Sequence, residues 1–419
     1  MALSRFALTI SAAAALISAC GGSQPPIGAP GTTAQSRAVA GPASSYRVLY
    51  SFRAGSDGMW PQGNLTDVNG TLYGTTWVGG GKGCIQSGPP YGCGTVFSIT
   101  TSGNEKVLHS FSGPDGAFPT ASLIDVNGTL YGTTYRGGAH NTCNTIGGGC
   151  GTVFSITTKG KVKVLYNFAG GPDGAQPSAA AGLIDVNGTL YGTTIYGGTY
   201  NRGTVFSISA TGKEKVLYSF GLHDGWNPNS GLTDIRGTLY GTTSRGGGRH
   251  VFGTVFSITT GGAEHVLRSF NGYNGALPQG SLLGVKGTLY GTASDGGVRG
   301  AQNGTVFDIR KTGKRGLHVL HYFDQYSSGD DGRVPLAGLI EVNDKLYGTT
   351  WIGGSGGGTV FSLSTSGEER VLHIFGPGRA GVPDGLSPFG SLIGVNGTLY
   401  GTTTSGGSDD DGTVFALKP

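Results

Sequence analysis

From residue 46 to the end of the chain, apolar residues fall in short runs separated by glycine-rich and polar stretches. One stretch defines the unit. Residues 122–126 (Ser-Leu-Ile-Asp-Val) lead into Asn127-Gly128, a pair that accepts positive φ at both positions and so makes a two-residue hairpin turn. Residues 129–134 (Thr-Leu-Tyr-Gly-Thr-Thr) are the return strand. A glycine-rich loop follows, then a third strand at 151–157 (Gly-Thr-Val-Phe-Ser-Ile-Thr), a turn at Gly160, and a fourth strand from Val164 to Phe168. Apolar residues occupy both parities, as in Leu130 and Tyr131 or Val153 and Phe154. Neighbours on a strand face opposite sides. Both faces are therefore predicted to be buried, as in a small sheet packed between two others.

The unit recurs seven times. Its Leu-Tyr-Gly-Thr-Thr phrase places tyrosines at Tyr73, Tyr131, Tyr191, Tyr240, Tyr290, Tyr347 and Tyr400. A Gly-Thr-Val-Phe phrase ends at Phe97, Phe154, Phe206, Phe256, Phe307, Phe361 and Phe415, and a Val-Leu-x-x-Phe phrase at Phe52, Phe111, Phe168, Phe220, Phe270, Phe323 and Phe375. Four short strands per unit, buried on both faces and repeated without helical patterning, predict an all-β fold, a seven-bladed β-propeller of four-stranded blades. The phase of the ends predicts how the ring closes. A lone fourth strand, Val48 to Phe52, precedes the first hairpin, and the chain finishes on a third strand at Val414 to Leu417. The N-terminal strand is expected to complete the last blade and remove an exposed edge.

The phrases Asp-Val-Asn-Gly-Thr-Leu-Tyr-Gly-Thr-Thr and Gly-Thr-Val-Phe-Ser-Ile resemble the Gloeo/Verruco (GloVer) tandem repeat of bacterial choice-of-anchor surface proteins, over residues 46–419. The resemblance implies a surface repeat protein whose anchor type varies between members. It brings no catalytic residues. The Val-Asn-Gly-x-Leu-Tyr segment is also similar to kelch repeats, although the paired glycines that end kelch strands lie here in the following loop.

The N-terminus adds an address. Arg5, the apolar run from Ala7 to Leu16 and Ile17-Ser18-Ala19-Cys20 resemble a bacterial lipoprotein signal. The expected domains are a signal peptide at 1–19, a lipidated Cys20 with a Gly/Ser/Pro/Ala linker at 20–45, and the propeller at 46–419. The expected location is exported and membrane-anchored, at the outer membrane, the periplasm or the cell surface. Beyond Cys20 the cysteines form two close pairs, Cys84 with Cys93 and Cys143 with Cys150, each within one loop. In an exported chain these are expected disulfides. Charged residues make up 12% of the chain, half the usual share, and the net charge is +4. So weak and scattered a charge does not argue for a nucleic-acid partner, and none is expected.

Loops between second and third strands vary in length and sequence, whereas the hairpin turns barely vary. Variable loops on a rigid scaffold are where binding resides. Aromatic residues stand at loop starts on that face: Trp60, Trp77, Tyr135, Tyr196, Trp226 and Trp351. They are either ordinary packing or a stacking platform for sugar rings. Each inter-blade loop also carries an acid before glycine, at Asp57, Asp115, Asp173, Asp224, Asp331 and Asp384, with Asn274 in the fifth place. These read as turn-capping side chains; the alternative is a carboxylate ring near the central channel, able to hold Ca²⁺. Asp330 and Asp331, with Asp409, Asp410 and Asp411, are the other Ca²⁺ candidates, against a default of solvated loop. No cofactor is expected beyond a structural Ca²⁺. His109, His321 and His373 read as variation at an outer-strand position. No nucleophile–base pair, phosphate loop or zinc motif occurs. The expected function is a binding or interaction module for a glycan or surface protein, monomeric by default. The alternatives are an extracellular polysaccharide lyase or hydrolase and a purely structural surface protein.

Overall fold

The structure is a computed structural model. It describes residues 45–419 except 82, 85–91, 141, 144–147, 178–181, 249–250, 298–302, 311–315, 324–330, 355 and 377–383. Cys20, the signal and the linker lie outside the described residues.

Among the described residues are seven antiparallel four-stranded blades and no helix. The second blade is typical, with strands Ile124–Val126, Thr129–Thr134, Thr152–Thr157 and Val162–Asn167. The third blade gains a short extra strand, Ala175–Pro177. First strands are shorter than the apolar runs suggest. Leu123 is buried but stands before the ladder, because the chain is still arriving from the previous blade. The hairpin turns hold positive φ at both positions, for example Asn127 at 53° and Gly128 at 80°. Asp67 and Asp234 accept the turn glycine's N–H at 2.9 Å.

The ring closes as the terminal phases predict. Ser45–Ser51 pairs antiparallel with Thr413–Lys418, setting Tyr46 opposite Leu417 and Val48 opposite Phe415. First strands form the inner circle: Thr66–Val68 touches Ile124–Val126 on one side and Ile393–Val395 on the other.

The repeated phrases have physical reasons. The phenylalanine ending each fourth strand meets the Gly-Thr-Val-Phe phenylalanine of the next blade edge-on, with ring centroids 5.1–5.3 Å apart at every junction. These rings are buried. Edge-to-face pairs add roughly 0.5–1.5 kcal/mol each beyond burial. The glycine of Leu-Tyr-Gly-Thr-Thr makes room for the same ring: a Cβ on Gly241 would sit 2.6 Å from Phe256 Cζ. The second threonine of the phrase joins the third-strand threonine hydroxyl to hydroxyl, as in Thr134 to Thr152 at 2.9 Å. In the fifth blade Ala293 replaces that threonine, and Thr305 donates to the Asn274 carbonyl, as Thr254 does to that of Asp224.

Candidate functional site

Inter-blade loops and the loops after second strands share one face, here called the upper face. Bridges between them recur around the ring, at Met59 with Val78, Ala117 with Arg136, Trp226 with Arg245, Ala276 with Asp295 and Arg333 with Ile352. Both cysteine pairs form disulfides in loops of this face, Cys84–Cys93 and Cys143–Cys150.

The residue before each inter-blade proline has a left-handed backbone: Trp60, Phe118, Gln176, Asn227, Leu277, Val334 and Ser387, with φ between 52° and 58°. Pre-proline residues favour extended backbone, and side chains other than Gly or Asn meet positive φ at a cost of about 1 kcal/mol or more. Hydrogen bonds hold the strained unit in place. Phe118 N–H donates to the Cys93 carbonyl at 2.8 Å, and the Phe118 carbonyl accepts Tyr135 N–H at 3.1 Å. The outcome is a ring of fixed backbone bearing a different side chain in every blade. No propensity rule applied to the sequence anticipates it; the recurrent proline was the available sign.

The aromatic candidates divide. Trp60 and Trp77 lie with ring centroids 5.7 Å apart, and Trp77 meets Phe118 at 6.0 Å. Tyr135 packs on the same cluster, and the Arg136 guanidinium lies 5.5 Å from its ring and 5.9 Å from Phe118. Trp60, Trp77 and Tyr135 are partly exposed, so one edge of this run is wet. Burial, and then the neighbouring Tyr196, raise the Tyr135 phenol above its usual value. Tyr196 itself is 41% exposed. Trp226 stands apart under the Arg202 guanidinium, 4.2 Å from its ring. Trp351, also exposed, shares no ring contact with the run among the described residues. Phe118 was missed in the sequence because it reads as a core residue.

The loop acids are not a channel ring. The channel is bounded by first strands, whereas these acids bind the outer, fourth strand. Asp57 accepts Tyr50 O–H at 2.8 Å and Arg53 N–H at 3.2 Å. Asp173 repeats this with Tyr166 and Ala169 N–H, and Asp224 with Tyr218 and Gly221 N–H. Histidine takes the tyrosine's place in three blades: His109 bonds Asp115 at 2.8 Å, His321 bonds Asp331 at 3.2 Å and His373 bonds Asp384 at 3.4 Å. These histidines are therefore functional equivalents of the tyrosine, not neutral variation. The following blade adds a glutamate at several junctions. Glu105, Glu214 and Glu264 are each pushed up to about 7, first by burial and then by Asp57, Asp173 and Asp224 respectively.

This fixes a pH dependence. A carboxyl raised above its unfolded value of 4.5 holds its proton more tightly in the fold. Its contribution is fully present below about pH 4.5 and is lost as pH rises through 7. The three glutamates are partly exposed, so screening reduces each to roughly 0.5–1 kcal/mol. Stability should fall by about 2 kcal/mol between pH 4.5 and 7.5, a few °C in melting temperature. Replacing all three, together with Glu369, which burial and Asp331 also push up to about 7, with valine, the residue at the equivalent position 162, should flatten that profile. A scan of melting temperature against pH checks this. Asp115 and Asp384 act oppositely: despite burial, hydrogen bonds from His109 and His373 hold their carboxyls below the usual range, and their contribution is lost only in acid.

Of the Ca²⁺ candidates, Asp330 lies outside the described residues. Asp410 accepts Gly406 N–H at 2.8 Å and Asp411 gives its carbonyl to Trp60 N–H, so this acidic run shapes its loop. Asp409 is exposed. Among the described residues, the group of three ligand-type side chains within metal-binding reach contains Asp331 but none of Asp409, Asp410 and Asp411; it comprises His321, Asp331 and Glu369. Asp308 is a further departure from the repeat. It occupies a third-strand serine position, is fully buried, and lies 3.3 Å from Arg310 and 3.6 Å from His318.

Fold and loops together define a seven-bladed β-propeller with a variable upper face on a repetitive frame. The chain belongs to the family of the Gloeobacter/Verrucomicrobia repeat, whose model matches residues 38–252 and 247–419. No curated protein sequence matches it. Among solved structures, a puromycin-hydrolyzing peptidase of Mycobacterium tuberculosis is similar at 10% identity with a TM-score of 0.51. The match covers 90% of this chain and 54% of the peptidase, and speaks for the fold alone. The computationally designed Ika8 protein aligns at 13% identity and a TM-score of 0.45, over 88% of this chain and 98% of its own.

Proposed function

We propose that this protein is an exported, lipid-anchored binding propeller that takes a glycan on the upper face. The observation that carries the reading is the partly exposed run of Trp60, Trp77 and Tyr135 packed on the buried Phe118, with Trp60 and Phe118 held on left-handed backbone units. Flat aromatic faces stack on the apolar faces of sugar rings, and a preorganised platform loses little entropy on binding. The chain's low charge suits a neutral ligand. The Cys20 pattern and the two loop disulfides support export, since disulfides persist in oxidising compartments. The anchor would hold the propeller at a membrane through the linker at 20–45.

One experiment with two arms tests this. The purified protein is screened on a glycan array and a hit is titrated by calorimetry. Trp77→Ala with Tyr135→Ala should weaken binding at least ~10-fold, about 1.4 kcal/mol, with the melting temperature nearly kept. Unchanged affinity in the folded double variant rejects the platform. Turnover of the hit by the unaltered protein would instead establish a polysaccharide-active enzyme. In the second arm, Cys20→Ser should move the protein from the membrane to the soluble exported fraction; unchanged fractionation rejects the anchor.

A further inference from the structure

The junction between the fifth and sixth blades differs from its siblings in one chemical respect. At every junction three positions come together: one on the fourth strand, one in the loop that follows, and one on the next blade's fourth strand. At three junctions they hold tyrosine, aspartate and glutamate, as Tyr50, Asp57 and Glu105; Tyr166, Asp173 and Glu214; and Tyr218, Asp224 and Glu264. Where histidine replaces tyrosine at His109 and His373, the third position carries no carboxylate, being Val162 and Tyr46 by register. Arg268, Asn274 and Leu317 fill the remaining set. Among the described residues, only with His321, Asp331 and Glu369 do an imidazole and two carboxylates coincide.

We propose that His321, Asp331 and Glu369 bind a divalent first-row metal ion, with Zn²⁺ the best match, and that the ion staples the fifth blade to the sixth. The ligand-type atoms of the three side chains lie within 4.8 Å of one another. His321 Nε2 is 3.2 Å from Asp331 Oδ1, and these side chains are only 17% and 15% exposed. Glu369 Oε1 is buried and makes no hydrogen bond, as is true of Oε1 in Glu105, Glu214 and Glu264; what sets this junction apart is the imidazole nitrogen beside the two carboxylates. A buried acceptor without a donor costs about 1–3 kcal/mol or more, and a cation shared with Asp331 would satisfy it. One imidazole nitrogen and two carboxylate oxygens form a three-ligand set that leaves one tetrahedral position for water. The nitrogen speaks against Ca²⁺, which takes six to eight oxygens. Each ligand comes from a different segment: the fifth blade's outer strand, the loop after it, and the sixth blade's outer strand. The ion would therefore add a link between two blades already joined by packing, by the Lys286–Asp344 ion pair and by the hydrogen bond from Thr292 Oγ1 to the Ala337 carbonyl.

The repeat itself supplies variants that the fold tolerates elsewhere. The protein is stripped with chelator and titrated with Co²⁺ as a spectroscopic probe, then with Zn²⁺ in competition. Expected are one Co²⁺ per chain with ligand-field absorption, its displacement by Zn²⁺, and a higher melting temperature with either metal. His321→Tyr copies the residue at 218, and Glu369→Val copies that at 162. Each should lower affinity by more than the 10–100-fold seen for loss of outer-shell partners, while the metal-free melting temperature changes little. His321→Tyr alone decides the matter if the second variant folds poorly. Absence of a Co²⁺ spectrum at millimolar metal overturns the proposal. So does His321→Tyr binding Co²⁺ as tightly as the parent, which would locate the metal elsewhere.

Discussion

Removing residues 45–53 should abolish cooperative unfolding and drive the protein to aggregate. The segment is short, but it does three jobs in the fold. It completes the seventh blade, and without it the strand Thr413–Lys418 becomes an open edge with Val414, Phe415 and Leu417 uncovered. It also supplies Phe52, fully buried and edge-on to Phe97 of the first blade, so the first junction is lost as well. Finally, Tyr46 stacks on His373 with centroids 3.6 Å apart, which ties the segment to the sixth blade. Phe52 alone is worth about 3–5 kcal/mol when truncated. The strand adds six paired positions and several half-buried side chains. The sum exceeds much of the 5–15 kcal/mol that stabilises an ordinary domain, and an exposed apolar edge invites pairing between chains. Calorimetry and size-exclusion chromatography of the shortened protein would check it. A cooperative transition at the original temperature would show that the seventh blade does not need this strand.

The second large effect is expected at a glycine. Phe256 stands over Gly241 and against Phe220, 5.1 Å between centroids. Phe256→Ala should cost about 3–5 kcal/mol through lost burial and the cavity left behind. Gly241→Ala should cost about 1–3 kcal/mol for the opposite reason, because the added methyl meets the ring at 2.6 Å. Gly241 has no positive φ, so backbone strain does not enter. The two changes should compensate: with Gly241→Ala and Phe256→Leu combined, the loss should be smaller than the sum by about 1 kcal/mol or more, as expected for residues in contact. Chemical denaturation of the four proteins of the cycle measures this. Strict additivity would mean that glycine is there for some reason other than the ring.

The repeated phrases were legible as blades because their information is local. Asn127-Gly128 sets its own turn, the two-sided apolar runs declare two buried faces, and the phase of Val48 and Val414 declares closure. The paired cysteines could be read for the same reason, since each pair lies within one loop. The candidate site was legible only in part. Trp60 and Trp77 are 17 positions apart in sequence and their contact depends on where the first blade meets the seventh. Phe118, itself buried, came to support the platform through a left-handed backbone that no residue preference favours. The acids were correctly read as turn formers, but their partners were not, because Tyr50, His109 and His373 reach them across a loop whose geometry the packing decides.

Sequence alone therefore determined the blade, the number of blades and the way the ring closes, because the period, the turn chemistry and the burial pattern all act within one repeat. Tertiary structure alone decided which variable residues meet. Seven near-identical junctions place equivalent positions side by side, so a change of one residue type takes its meaning from the residue opposite it in the next blade. His321 beside Glu369 is a ligand set, and His109 beside Val162 is only a hydrogen bond to Asp115. The difference lies in long-range contacts between units, and no single repeat contains it.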